Sequence, residues 1–95
     1  MPKAFLQITL NIKPENRGTA AGVYTKYKET FLNEIMGAKS KDLLVRDEDV
    51  QVLHGFECID SANAYLKSEL FEKDVVRELS PLLESNPEIR VYLVD

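Results

Sequence analysis

The residue best suited to acid–base chemistry is His54, the only histidine in this 95-residue chain. An imidazole has an ordinary pKa near about 6.5, so it exchanges protons readily at neutral pH. His54 lies within residues 50–58, whose sequence VQVLHGFEC is typical of a β-strand. We therefore predict that His54 is a catalytic base. The alternative is structural, in which His54 is a half-buried strand residue that only hydrogen-bonds to a neighbour or across a dimer interface.

Other side chains could hold a substrate beside such a base. Amide, hydroxyl and phenol groups hydrogen-bond to a developing oxyanion, and an aromatic ring provides an apolar wall. The residues that offer these groups on the predicted strands form the expected substrate-binding set, which is Gln7, Thr9, Asn11, Phe56 and Tyr92.

No metal or other cofactor is expected. The acidic run Asp47-Glu48-Asp49 lacks the spacing and the glycine of a calcium-binding loop, so we predict a solvated turn. His54 is the one available axial ligand for haem, and no basic cluster accompanies it that would bind the propionates.

Six segments have the periodicity that would position these residues. Strands alternate apolar and polar residues, whereas helices repeat apolar residues three and four positions apart. Asp60 is the expected N-cap of the second helix, and Gly37 is expected to end the first in a left-handed conformation. The segments are strand 4–12, helix 17–36, strand 40–46, strand 50–58, a helix from residue 61 onward and strand 88–94.

The order βαββαβ predicts one ferredoxin-like α+β domain over residues 1–95, with both helices on one face of an antiparallel sheet. The other face of the sheet is then open. We assign Val52, His54 and Phe56 to the open face, because Gly55 on the other side would suit close packing of a helix. An open face that is partly apolar predicts a homodimer, since a second copy is the simplest cover.

Composition excludes several classes of function. The net charge is −4, which disfavours nucleic acid and anionic membranes as partners. Cys58 is the only cysteine and cannot form an intrachain disulfide. The sequence contains neither a signal-peptide pattern nor an apolar run of about 20 residues. A cytoplasmic protein is therefore expected.

A resemblance to a known family lies in His54-Gly55-Phe56, in the stretch SANAYL at residues 61–66, and in Phe71. These residues resemble the strand-to-helix segment of antibiotic-biosynthesis-monooxygenase-like domains, and the order of elements is similar over nearly the whole chain. The resemblance implies two ferredoxin-like subunits joined as a dimeric α/β barrel. It also implies a pocket beside the sheet for an aromatic substrate, without metal or flavin. The chain has no tryptophan, so the family's Asn-Trp-Tyr set cannot be placed on it.

The function predicted from these observations is that of a small cofactor-independent monooxygenase acting on an aromatic or ketonic metabolite. His54 would remove a proton from the substrate, and the resulting carbanion would pass an electron to oxygen. The alternative is a non-catalytic homodimeric module that binds a small ligand or a protein.

Overall fold

The computed structural model describes residues 2–95 and contains the predicted elements in the predicted order. The elements are β1 (Ala4–Leu10), α1 (Arg17–Glu34), β2 (Ala38–Val45), β3 (Val50–Phe56), α2 (Ile59–Leu66), a π-helical turn (Leu70–Val75), α3 (Val76–Leu79) and β4 (Glu88–Leu93). Short 3₁₀ turns occupy Pro14–Asn16 and Ser80–Leu82. Among residues 2–95, none of the helices is both long enough and apolar enough to cross a membrane.

The four strands form one antiparallel sheet in the order β2-β3-β1-β4. Helices cover one face of it, so the predicted ferredoxin-like α+β fold is confirmed. The sheet of a single chain is open, with β2 and β4 as its two edges.

The core lies between the sheet and the helices. Along β1, buried residues alternate with half-buried ones, because Leu6, Ile8 and Leu10 all point toward the helices. Phe31 of α1 and Tyr65 of α2 pack over them and are among the largest fully buried side chains. The period-2 pattern of β1 therefore places its helix-facing side correctly.

The face assigned to β3 from the sequence is wrong. Val52 pairs with Ile8 and His54 pairs with Leu6, and directly paired residues project to the same side of a sheet. Val52, His54 and Phe56 therefore face the helices, as their burial confirms.

The assignment of β3 relied on Gly55 as a place where a helix packs closely, but the close neighbours of Gly55 lie on the open face. A Cβ placed on Gly55 would collide with Ser40 Oγ and would lie 3.0 Å from Pro2 Cγ. The glycine thus makes room for Ser40 of β2 and for Pro2. The open face exchanges Val52, His54 and Phe56 for Gln51, Leu53 and Gly55, and it is more polar than predicted.

Two helix boundaries decide how the chain enters and leaves the core. Gly37 has φ +81 after α1, as predicted, and a Cβ there would collide with Ser61 Oγ. Helix α2 begins two residues earlier than expected, so Cys58 and not Asp60 occupies the N-cap position. The prediction for Asp60 is wrong because the extended backbone of β3 turns directly into the helix at Cys58.

Candidate functional site

A cavity of about 90 Å³ lies between the helix-facing side of the sheet and the helices. Its floor comes from β1, β2 and β3, and its walls come from α1 and from residues 70–83. Nearly all of the lining is aliphatic or aromatic, and the exceptions among its side chains are Lys41, His54, Ser80 and the phenol of Tyr24. Such a lining suits a flat apolar ligand with one polar end.

The cavity has a buried end and an exposed end. His54 and Lys41 pair with each other across β2 and β3 and are both buried. Val50 lies four residues from His54 along β3, which places the far end of the floor roughly 13 Å away. Val76 and Ser80 of the lining are exposed and mark the side on which a ligand would enter.

His54 is fixed in one tautomer. Its Nδ1 lies 3.1 Å from the Leu6 carbonyl oxygen, and since a carbonyl only accepts, Nδ1 must carry the proton and donate it. The free ring nitrogen is therefore Nε2, with an unshared lone pair. Burial, and secondly the charge of Lys41, lowers the pKa of His54 to about 3, while the bond to Leu6 opposes that shift. His54 is neutral at physiological pH.

An aromatic cluster holds the His54 ring in place. The Phe31 ring meets it edge-on at a centroid distance of 5.2 Å, and the Tyr65 ring lies 5.4 Å away. Phe56 also packs in this cluster, and its relative exposure is 0%. The hydroxyl of Tyr65 is buried without a hydrogen-bond partner in residues 2–95, and burial raises its pKa.

Lys41 is the charged residue of the cavity, and the sequence reasoning missed it. Its side chain is 4% exposed, and its Nζ lies 5.3 Å from the centroid of the Phe31 ring and 5.7 Å from that of Tyr24. Burial, and secondly the charge of Lys28, lowers the pKa of Lys41 to about 8. The available signal was its parity, because Lys41 shares a side of β2 with Leu43.

The π-helical turn shapes one wall of the cavity. Such a turn adds one residue to a helical turn and occurs often at functional sites. Phe71 and Val75 lie in it, are buried and line the cavity. Val76 and Leu79 of α3 continue the same wall.

Of the six residues predicted for the site, His54 lines this cavity and the other five do not. Gln7 and Thr9 lie on the open face of the sheet, where Gln7 Nε2 donates a 2.6 Å hydrogen bond to Gln51 Oε1. Asn11 follows β1 and its Nδ2 bonds to Ser85 Oγ at 2.9 Å.

Tyr92 belongs to the open face as well, opposite Phe5 on the edge strand β4. The sheet therefore separates His54 from Gln7, Thr9 and Tyr92 within one chain, and their predicted role in substrate binding stays a prediction. Within residues 2–95, no three His, Cys, Asp or Glu side chains group closely enough to hold a metal ion.

The fold is that of the antibiotic-biosynthesis-monooxygenase-like proteins, as the resemblance of residues 54–71 indicated. A monooxygenase from Streptomyces coelicolor, solved in complex with the ligand nanaomycin D, superposes with a TM-score of 0.83 at 13% identity over 99% of this chain and 88% of that one. An antibiotic biosynthesis monooxygenase gives a TM-score of 0.77 at 13% identity over 97% of this chain and 98% of the other.

A conserved protein from Methanosarcina mazei Go1 is also similar, with a TM-score of 0.84 at 20% identity over 100% of this chain and 95% of that one. No protein-family model and no curated protein matches the sequence. At identities this low, the TM-scores establish the shared fold alone. The chemistry has to be argued from the site itself.

Proposed function

We propose that this protein is a small cofactor-independent monooxygenase for an aromatic substrate with a phenolic or ketonic group, bound in the cavity between the sheet and the helices. The observation that carries the proposal is the buried end of this cavity, where a neutral histidine with a fixed lone pair closes an apolar slot. The shared fold with monooxygenases adds support at the level of architecture.

The size of the cavity determines how such a substrate would sit. Its volume of about 90 Å³ is below the roughly 150 Å³ of an engineered apolar cavity that takes up benzene. The enclosed volume is thus too small for a whole ring, so the polar edge of one ring would enter toward His54 and the rest of the ligand would extend past Val76 and Ser80 toward solvent. The aliphatic floor of Ile8 and Val52 packs against the face of the ring.

His54 Nε2 would accept a proton from the substrate, and the low pKa of His54 sets the cost of that step. For a substrate acid with a pKa of about 10 and an imidazole near about 3, the transfer is uphill by about 10 kcal/mol at about 1.4 kcal/mol per unit. This free-energy difference is a lower limit on the barrier, because the later step with O₂ adds to it. His54 would therefore act as a transient base that returns its proton within the reaction and is neutral in the resting protein.

The reaction balances without a cofactor when oxygen is the oxidant. His54 removes one proton from an activated CH₂ group, and the carbanion gives an electron to O₂. The two radicals combine into a C–O bond, and the proton returns from His54 to the peroxide. Loss of water from this hydroperoxide, with the second hydrogen leaving carbon as the O–O bond breaks, forms the ketone. The sum is CH₂ + O₂ → C=O + H₂O.

Oxygen uptake with a panel of anthrones and hydroquinones tests the function. The protein should consume one O₂ for each ketone formed from an anthrone, and added catalase should return no oxygen because the co-product is water. His54→Asn keeps a donor for the Leu6 carbonyl but removes Nε2, so kcat/KM should fall at least about 100-fold. A folded His54→Asn protein with unchanged kcat/KM, or a wild-type protein inactive on the whole panel, would contradict the proposal.

We also propose that two copies associate through the open face of the sheet. Phe5 and Leu53 lie half-buried in its middle, while Leu44 and Tyr92 at its two edges are 43% and 45% exposed. Four strands make a face on the order of 300 Å², whereas a standard interface takes about 800 Å² from each partner. The end of β4 would supply part of the difference, because Val94, two residues after Tyr92, is 43% exposed.

A further inference from the structure

Lys41 is a buried cation with no anionic partner in the part of the chain that the structure describes. No carboxylate of residues 2–95 lies within salt-bridge distance of its Nζ. The charged neighbour that affects it is Lys28, which has the same sign. Buried charges in folded proteins are normally paired, because removing an ion from water is costly. This cation is exceptional in a protein whose net charge is −4.

Aromatic rings hold the ammonium group at the cavity. The rings of Phe31 and Tyr24 lie within cation–π distance of Nζ. The phenol of Tyr24 donates a 2.6 Å hydrogen bond to the backbone oxygen of Lys41, which fixes that ring against β2. Lys41 lines the cavity, whose lining includes no Asp or Glu. An anionic group on a ligand would thus meet one positive charge and no negative charge.

His54 adds a second, different requirement beside Lys41. The two residues are directly paired across β2 and β3, so their Cβ atoms lie about 5 Å apart. Lys41 offers N–H donors and a charge, whereas His54 Nε2 offers only a lone pair because Nδ1 donates to Leu6. A matching ligand presents an anionic oxygen to Lys41 and a neutral hydroxyl next to it to His54.

We infer that the cavity is a binding site for the monoanion of an aromatic diol, in which the phenolate oxygen pairs with Lys41 and the adjacent hydroxyl donates to His54 Nε2. This inference deepens the proposed function and rests on it, since it names the anionic group that a substrate in this cavity would present to Lys41 beside His54. The binding itself does not depend on turnover. Lys41 is then a substrate-binding residue that holds the negative charge, a role that complements the base.

Three coloured ligands test the two contacts separately. 4-Nitrocatechol offers the anion and the hydroxyl, 4-nitrophenol offers the anion alone, and 4-nitroanisole offers neither. Absorbance titration of the wild-type protein near pH 7.5 should show that nitrocatechol binds most tightly, nitrophenol less tightly and nitroanisole least tightly. Each lost contact, whether the charge-assisted one or the neutral hydrogen bond, should weaken binding by about tenfold or more. Binding should also shift the nitrophenol spectrum toward its phenolate form. Equal affinities for nitrocatechol and nitroanisole would overturn the inference without any variant.

Matched variants assign each contact to its residue. Lys41→Met should remove the preference of the anions over nitroanisole, and Lys39→Met, at an exposed position of the same strand, should keep it. His54→Asn should abolish only the preference of nitrocatechol over nitrophenol. Anion preference that survives in a folded Lys41→Met protein would refute the assignment. If these ligands bind as expected but no substrate consumes oxygen, the inference stands and the proposed monooxygenase function fails.

Discussion

Replacing Lys41 by Met should make the protein more stable at neutral pH, although it removes a residue of the proposed site. In the folded protein the pKa of Lys41 is lowered from 10.5 to about 8 by burial. Keeping the ammonium charged below pH 8 therefore costs about 3 kcal/mol, at about 1.4 kcal/mol per unit. Loss of the ring contacts to Phe31 and Tyr24 offsets about 1 kcal/mol. The expected net gain in the free energy of unfolding is about 2 kcal/mol at pH 7.

The sign of the pH dependence provides a sharper test than the gain itself. Between pH 8 and 10.5 the unfolded chain binds a proton at Lys41 that the folded protein has lost, so wild-type stability rises with pH in this window. Lys41→Met has no proton to bind at this position, so its stability lacks this rise with pH. The stability advantage of Lys41→Met should be complete below pH 8 and should disappear as pH approaches 10.5.

Urea unfolding followed by circular dichroism at pH 7, 8, 9 and 10 measures the difference in the free energy of unfolding between Lys41→Met and wild type. In thermal unfolding at pH 7, the melting temperature of Lys41→Met should be higher by roughly 8–16 °C for a domain of this size. Lys39→Met is the control and should change stability by less than about 0.5 kcal/mol at every pH. A Lys41→Met protein that is less stable than wild type, or whose advantage is the same at pH 7 and 10, would show that Lys41 is not a desolvated cation.

Four further results are expected. Between pH 7 and 4.5, wild type should lose about 2.5 kcal/mol of stability relative to His54→Asn, because the pKa of His54 is about 3 when folded and about 6.5 when unfolded; equal losses in urea unfolding would contradict this. Tyr65→Phe should stabilise by about 1 kcal/mol in thermal unfolding, since its buried hydroxyl has no partner. Gly55→Ala should destabilise by about 1 kcal/mol, and adding Ser40→Ala should restore part of it by removing the colliding hydroxyl. Light scattering at micromolar concentration should give a dimer that Leu44→Asp weakens, and a wild-type monomer would refute the dimer.

The sequence predicted the order of elements and the inner face of β1, because alternation along Leu6, Ile8 and Leu10 is a local property. It could not predict which side of β3 faces the helices. Both sides of residues 50–56 contain apolar side chains, and the side is decided by pairing with β1, which lies more than 40 residues away along the chain. The side was chosen from Gly55, which was expected to lie against a helix, whereas its close neighbours are Ser40 and Pro2.

His54 lines the cavity, but the surroundings of its ring could not be predicted from the sequence. The low pKa results from burial against Phe31 and Tyr65, and the tautomer results from the carbonyl of Leu6. Lys41 was missed for a related reason. A lysine in a strand at the edge of the sheet is ordinarily solvated, and only α1, packed over β2, makes this one a cavity residue.

The π-helical turn at Leu70–Val75 links the shape of the cavity to the length of the chain. Such a turn holds one residue more than an α-helical turn, so it behaves like a retained insertion. Deleting one residue there would restore the α-helical pitch without turning the following segment, because the wider turn already accommodates the extra residue. Val76 and Leu79 would therefore still face the cavity that they now line. Homologues that are one residue shorter in this segment should therefore keep the wall from Val76 onward and differ in cavity shape only at Phe71 and Val75.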